Sequence, residues 1–570
     1  MTKLNILHRF SKNDKNRTIF VISNFPDLQT LDYITILLLV GIFVAGSLFF
    51  GSGHNLRNFF AGGGNIPWWI GGLSLFMSFF SAGTFVVWGS IAYTEGWTAI
   101  TIQWMMAAGG IIAGLLIAPR WNCTGCLTAA EYITRRFGTR IQKFYTALFL
   151  AISFFSTGTF LYSIARIVET AVGISFTTSI LVLGLLCILY VAIGGFRAVV
   201  VTDVLQFLIL TAAAIIILPL ASERIGGIDT FFRQAPEGFF RPAAGEYTWG
   251  FMLASLLCNI SSLGGNWAFV QRYTSVSTPA DARKTGLLFG ALYLVCPVIW
   301  MLPPMLFRLH DPSLTGFRSE NAYLLMCREV LPPGLLGLML GGMIFATLSS
   351  FNTILNTSAS VVTNDLLKPL LHRFPERTLM RAARLSTIVF GMLAITFALF
   401  IPRCGGIVNV VISIGAMTGA PMCLPVVWSL FSRNLSGRAV LGTTLTALGI
   451  NLLFKFAVPL FTGFSLSRAG EMTLGVLGSV AILTGCEIYH RFSKATAPSP
   501  IPQKSAIPGN GSSARNNRFS LKVIGVGAML SGVLVSALGI PALTVSLFPL
   551  GIGVLLLATG LWLYLPNRRI

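Results

Sequence analysis

Charge is what this chain has least of. Of its 570 residues only 10% are charged, and Asp and Glu together number 19, whereas a soluble globular protein carries about 25% charged residues. That scarcity excludes an ordinary soluble domain. There are 5 histidines, and the sequence contains no HExxH, no GxSxG and no paired carboxylates inside an apolar run. A membrane-embedded enzyme would need such a metal cluster, nucleophile or acid–base pair facing a cavity, so a non-enzymatic role is expected. Cysteine is sparse too: 9 residues, scattered. Cys123 and Cys126 form a lone CxxC without a second pair and read as ordinary small residues rather than metal ligands. Residues 1–29 lack the apolar core of a secretory signal.

What the chain has instead is hydrocarbon. Hydrophobic residues make up 54%, and they fall into about fifteen runs, from 30–51 and 67–94 to 520–540 and 544–565, each near or above the ~20 residues that span a bilayer. The expected class is all-α: a polytopic protein of the plasma (inner) membrane, with lipid as its first partner. The net charge of +21 reads as basic loops on one membrane side, not as a nucleic-acid footprint. Those loops include Arg120, Arg135, Arg136, Arg140 and Lys143, then Arg197, the 271–284 and 367–384 segments, Arg433 with Arg438, and Arg568 with Arg569. They place the N-terminus outside and the C-terminus in the cytoplasm. The basic tail of Lys3, Arg9, Lys12, Lys15 and Arg17 falls on the opposite side from that rule. Four segments are expected: a polar tail (1–29), a membrane core (30–491), a Pro/Ser/Gly/Asn-rich cytoplasmic linker (492–519) and a two-helix appendage (520–570) able to fold separately.

The core is organised around Gly62–Gly96, GGGNIPWWIGGLSLFMSFFSAGTFVVWGSIAYTEG. Ser78, Ser81 and Thr84 lie among bulky apolar residues beside Gly83, a poor setting for an unbroken helix. Irregular backbone at membrane depth persists only where it is packed in protein or lines a polar cavity. The stretch fits either a discontinuous transporter helix, whose freed carbonyls coordinate a cation, or a kinked structural helix. A second polar run, ATLSSFNTILNTSASVVTND (Ala346–Asp365), puts Ala346, Ser349 and Ser350 on one helix face, with Asn352, Thr353, Asn356, Ser360 and Thr363 extending the stripe. Uncharged oxygens of this kind suit a hard monovalent cation such as sodium; small-residue helix packing would leave the same pattern. In GGFRAVVVTDVLQF, Gly194 and Gly195 suggest a tight turn between two spans and Asp203 an acid inside the next one, where it needs a partner, a proton or water. Gln103 and Asn259 are deep amides that serve a cavity or another helix. Arg166 and Glu169 are spaced to pair, and Lys455 is expected to snorkel.

These motifs, together with LTAAEYITRRFG (Leu127–Gly138) and NWAFVQRYTSVST (Asn266–Thr278), resemble the sodium/solute symporter family of sodium-coupled sugar, proline, pantothenate and sialic acid carriers. The resemblance spans roughly residues 30–491. It implies the inverted-repeat (LeuT-type) fold: a leading helix, then five-helix repeats at about 67–222 and 246–432, the first helix of each broken. It implies a principal sodium site made by the carbonyls of Met77 and Phe80 with Ala346, Ser349 and Ser350. A second sodium in some members corresponds to Asp203, Ser349, Asn352 and Thr353, with Asn352 where sialic acid carriers have serine. The solute positions correspond to Ser81, Thr84, Gln103 and Asn259. Charged solute-binding residues of the sugar and sialic acid carriers are replaced by Tyr293 and Ser156, so a small polar solute, neutral or weakly acidic, is expected. The co-transported ion is sodium. The alternative is a transporter-like sensor that binds solute without moving it.

Overall fold

A computed structural model describes residues 28–49, 66–126, 128–367, 376–401, 407–492, 512–540 and 547–565. The expected basic tail, most of the linker, part of the 367–384 segment and Arg568 with Arg569 lie outside the described residues. The described residues form helices: α1 (Thr30–Phe49), α2 (Trp68–Phe79), α3 (Thr84–Glu95), α4 (Thr98–Leu116), α5 (Ala118–Cys123), α6 (Ala129–Phe137), α7 (Thr139–Val172), α8 (Phe176–Arg224), α9 (Ile228–Gln234) and α10 (Trp249–Gly265). There follow α11 (Trp267–Thr274), α12 (Pro279–His310), α13 (Ala322–Val330), α14 (Leu335–Val361), α15 (Glu376–Phe400), α16 (Ile407–Ser429), α17 (Gly437–Thr462), α18 (Arg468–Phe492), α19 (Ser512–Gly539) and α20 (Phe548–Tyr564). Among the described residues, 8 helices are long and apolar enough to cross a membrane, or up to 10 if each bent pair is one span, beside four shorter apolar helices. The expected count of about fifteen spans is therefore not reached on length and composition.

The two bent pairs are α2/α3, at 63°, and α10/α11, at 57°. They touch through a short parallel bridge between Ile66 and Val276, where Ile66 N–H donates to the Ser275 carbonyl at 3.1 Å. The expected turn at Gly194–Gly195 takes another form. Helical backbone runs through α8 without a break, yet the hydroxyls of Tyr190 and Thr202 are hydrogen-bonded. In a straight helix, residues twelve apart stand about 18 Å from each other, so α8 must bend sharply between the two.

Close approach of backbones sets the packing, as it must where lipid supplies no hydrophobic drive between helices. Gly110 and Gly114 of α4 face Gly286 and Gly290 of α12; a methyl group on Gly114 would stand 2.8 Å from the Gly286 carbonyl carbon. The terminal hairpin α19/α20 is joined by the same device, and it docks on the core through Gly527 against Leu205 and through Leu538 against Gly334. It thus packs against the core, and α19 starts at Ser512, inside the expected linker. Several loop cations also prove structural. Arg272 lies fully buried in α11, and Arg136 is buried and donates to the Ser432 carbonyl at 2.8 Å. Lys455 does not merely snorkel; it pairs with Glu471 at 2.6 Å.

The leading helix is pinned by one buried carboxylate. Asp32 takes the Gln29 N–H of its own helix start at 3.0 Å and the N–H groups of Gly334 and Gly337, at 2.6 and 2.7 Å, at the start of α14. One side chain thus caps two helix N-termini, where orphan donors and the dipole both favour an anion. Asp32→Ala should cost on the order of 1–3 kcal/mol by orphaning buried donors. The purified protein in detergent should then unfold at a lower temperature, with Asp32→Asn intermediate.

Candidate functional site

The break between α2 and α3 decides the site. Phe80 leaves the helix in an extended conformation (φ −91°, ψ 129°). The donors this exposes are taken by side chains: Ser81 N–H donates to Thr84 Oγ1 at 3.2 Å, and Ala82 N–H to Thr347 Oγ1 of α14 at 2.6 Å. The acceptors are treated differently. The carbonyls of Phe80, Ser78 and Met77 all turn toward Ser350 Oγ, at 2.7, 3.2 and 3.3 Å. A hydroxyl has one proton to give, so three carbonyl oxygens converge on one hydroxyl proton, the Met77 carbonyl accepting also from the Phe80 N–H at 3.1 Å. A ring with more lone pairs than protons, buried from water and lipid, is a place a hard cation can enter.

Of the five positions implied for a principal sodium site, Met77, Phe80 and Ser350 are thus brought together directly. Ala346 lies one turn before Ser350 on the same helix and is fully buried. Ser349 has its own direction: its hydroxyl donates to Asp203 Oδ1 of α8 at 2.5 Å. That bond spends the proton and leaves the oxygen lone pairs free to face a cation.

Of the second group, Asp203 and Ser349 meet in that bond. Thr353 Oγ1 accepts from Arg272 Nη2 at 2.7 Å and lies 3.4 Å from Ser78 Oγ. Asn352 is buried on the same helix, and neither atom of its amide has a hydrogen-bond partner. Ser74 Oγ donates to Asp203 Oδ2 at 2.5 Å and accepts from Arg272 at 3.3–3.4 Å. Ser74, Thr347 and Arg272 were not foreseen as site residues. Arg272 stood in a quoted motif but read as a loop cation, and Ser74 is one helical turn before Ser78, a spacing that could have revealed it.

The four solute positions are less united. Ser81 and Thr84 form the inner edge of the break, both nearly buried. Gln103 of α4 is buried with its Nε2 unpaired. Asn259 of α10 packs its Cβ against Gly109 of α4 and donates to Ser255 Oγ at 3.4 Å. No hydrogen bond joins Ser81 or Thr84 to Gln103 or Asn259. Around the break stands an aromatic wall: Phe79 stacks on Phe269 at 4.0 Å, and Phe80 lies 3.8 Å from Trp300 between ring centroids. Tyr293 belongs to this wall, 4.9 Å from Phe76, and is no polar pocket residue.

Comparison with known proteins meets this geometry from outside. The model of the sodium:solute symporter family matches residues 59–445. The sodium/sialic acid symporter SiaT of Proteus mirabilis is 25% identical over 466 residues, covering 79% of this chain and 92% of that protein. The human sodium/iodide cotransporter is 28% identical over 489 residues, covering 80% and 73%. The sodium/glucose cotransporter of Vibrio parahaemolyticus is 26% identical over 460 residues, covering 74% and 84%. In three dimensions the chain superposes on a sodium-coupled sialic acid symporter in its substrate-bound outward-open state, with TM-score 0.73 and 22% identity, covering 83% of this chain and all of the other. A broken membrane helix opposed by a hydroxyl-bearing one is thus set in a shared fold, and the chain belongs to the sodium:solute symporter family.

Proposed function

We propose that sodium binds among Met77 O, Phe80 O, Ala346 O, Ser349 Oγ and Ser350 Oγ, and that its gradient drives a small polar organic solute into the cell. The observation that carries this reading is the convergence of three carbonyls on the single hydroxyl of Ser350. Sodium held there ties the break to α14 and preforms the solute pocket, a coupling that is reciprocal. The two broken helices are the first helices of two inverted five-helix repeats, and alternating access is a rocking of one bundle against the rest. The protein sits in the plasma membrane with its C-terminus in the cytoplasm. One sodium crossing ~100 mV releases about 2.3 kcal/mol, and each tenfold ion gradient adds about 1.4 kcal/mol. Together these support accumulation on the order of several hundred-fold.

Ser81, Thr84, Gln103 and Asn259 contact the solute. Hydroxyls and amides without a charge suit a neutral or weakly acidic sugar, sugar acid or related nutrient, the class to which the substrates of the sialic acid and glucose relatives belong. Asp203, Ser349, Asn352 and Thr353 form a second oxygen-rich group beside the first.

Two measurements in proteoliposomes test this. Ser350→Ala should raise the sodium concentration for half-maximal uptake by about tenfold, since it removes one ligand of a buried cation, while the solute KM at saturating sodium changes little. Unaltered sodium activation would remove the site. With labelled sialic acid, glucose and pantothenate as the panel, Gln103→Ala and Asn259→Ala should raise the KM of the transported solute and leave sodium activation in place.

A further inference from the structure

Away from the broken helices, one flank of α14 borders a cleft that neither ion nor solute explains. Ser350 turns toward the carbonyls of α2, whereas Phe345 faces α1 and α8. Leu39 and Ile42 of α1, Leu205, Gln206 and Ile209 of α8, and Phe345 of α14 line ≈ 330 Å³ of free space. The medium beside it is hydrocarbon, for Leu38, next to Leu39, is exposed on the lipid-facing surface. Leu205 packs on Gly527 of α19, so the terminal hairpin supports one wall.

Among these apolar walls the Gln206 amide is the anomaly. It is 3% exposed, and neither its Oε1 nor its Nε2 has a hydrogen-bond partner among the described residues. Thr202, one turn earlier, lines the same space but is committed elsewhere. Its hydroxyl donates to Val199 O at 3.0 Å and is bonded to Tyr190. The surrounding backbone belongs to three helices, whose amides and carbonyls bond within each helix. A buried amide left in this state is costly. Water does not resolve it, because an ordered water needs about two to four polar partners, and the cleft offers one amide.

The lining selects the ligand. None of the described residues around the cleft is charged, so an ionised group would lose its water without gaining a partner. A carbonyl would accept from Nε2 and leave Oε1 unmet, whereas a hydroxyl both accepts and donates. The space lies at the small end of the ~300–1,000 Å³ typical of ligand pockets. We propose that this cleft binds a small uncharged amphiphile drawn from the bilayer, its hydroxyl on Gln206 and its hydrocarbon against Leu39, Ile209 and Phe345. The site is separate from those assigned above to sodium and solute, and stands without them.

Photolabelling of the purified full chain in phosphatidylcholine nanodiscs, with a diazirine-bearing octanol as probe, tests it. Label should map to α1, α8 and α14, above all to Leu39, Leu205 and Phe345, and excess octanol should displace it. At matched concentration in the membrane, octane and octyltrimethylammonium should each compete at least about fivefold less well, the loss expected for one buried hydrogen bond. Gln206→Leu should reduce labelling by at least about the same factor. Ile209→Trp, which keeps the amide but fills the space, should abolish it. Size-exclusion profile and melting temperature report whether each variant folds. Label absent from these helices in wild type, octane displacing it as well as octanol, or undiminished labelling of a folded Gln206→Leu would each overturn the proposal. The wild-type competition decides it even where a variant fails to fold.

Discussion

The structure depends on how a backbone broken inside a membrane is paid in hydrogen bonds. Where α2 stops, amide donors and carbonyl acceptors come free together, and hydrocarbon tolerates neither. The donors are closed off from within, by Thr84 and by Thr347. The acceptors are left in surplus around Ser350. The proposed sodium site rests on this asymmetry, since a repaired kink would satisfy both sets. Everything else in the core serves to hold α14 against that break. Asp32 fastens one end of α14, Asp203 grips its middle through Ser349, and Arg272 reaches it through Thr353.

Much of the architecture could be read from the chain. Gly83 with its neighbouring hydroxyls marked the first break, and five ordered motifs marked the family. The second break, between Gly265 and Trp267, follows a comparable run of small polar residues and glycines, NISSLGGN (Asn259–Asn266), which was read only through the family resemblance. Of the expected spans, those whose described residues form a helix long and apolar enough to cross number 8, or up to 10 with the bent pairs, because hydropathy registers an apolar run whatever the length of its helix. In α8 two adjacent glycines suggested a turn, and the Tyr190–Thr202 bond reveals that helical backbone doubles back across that stretch.

Within the candidate site, composition identified which helices bear oxygen, and it could not say where each oxygen points. Ser349 and Ser350 are neighbours in sequence, yet one faces a carboxylate and the other three carbonyls. The most serious misreading was Arg272. An arginine between an apolar run and a Ser/Thr-rich run resembles a loop cation, and only tertiary structure shows it folded inward against Ser74. Side chains that act across helices leave no periodic trace, because their partners stand far apart in the chain, 81 positions for Arg272 and Thr353 and 146 for Ser349 and Asp203.

The leading helix offers a last consequence. Since a single carboxylate binds the first turn of α1 to the first turn of α14, the two helices cannot part without stranding buried amides. Yet Leu37, little more than one turn further along α1, is 68% exposed on the outer surface. A reporter attached at that lipid-facing position would ride with α14 while remaining remote from ion and solute, so the hidden helix could be followed from the periphery of the molecule.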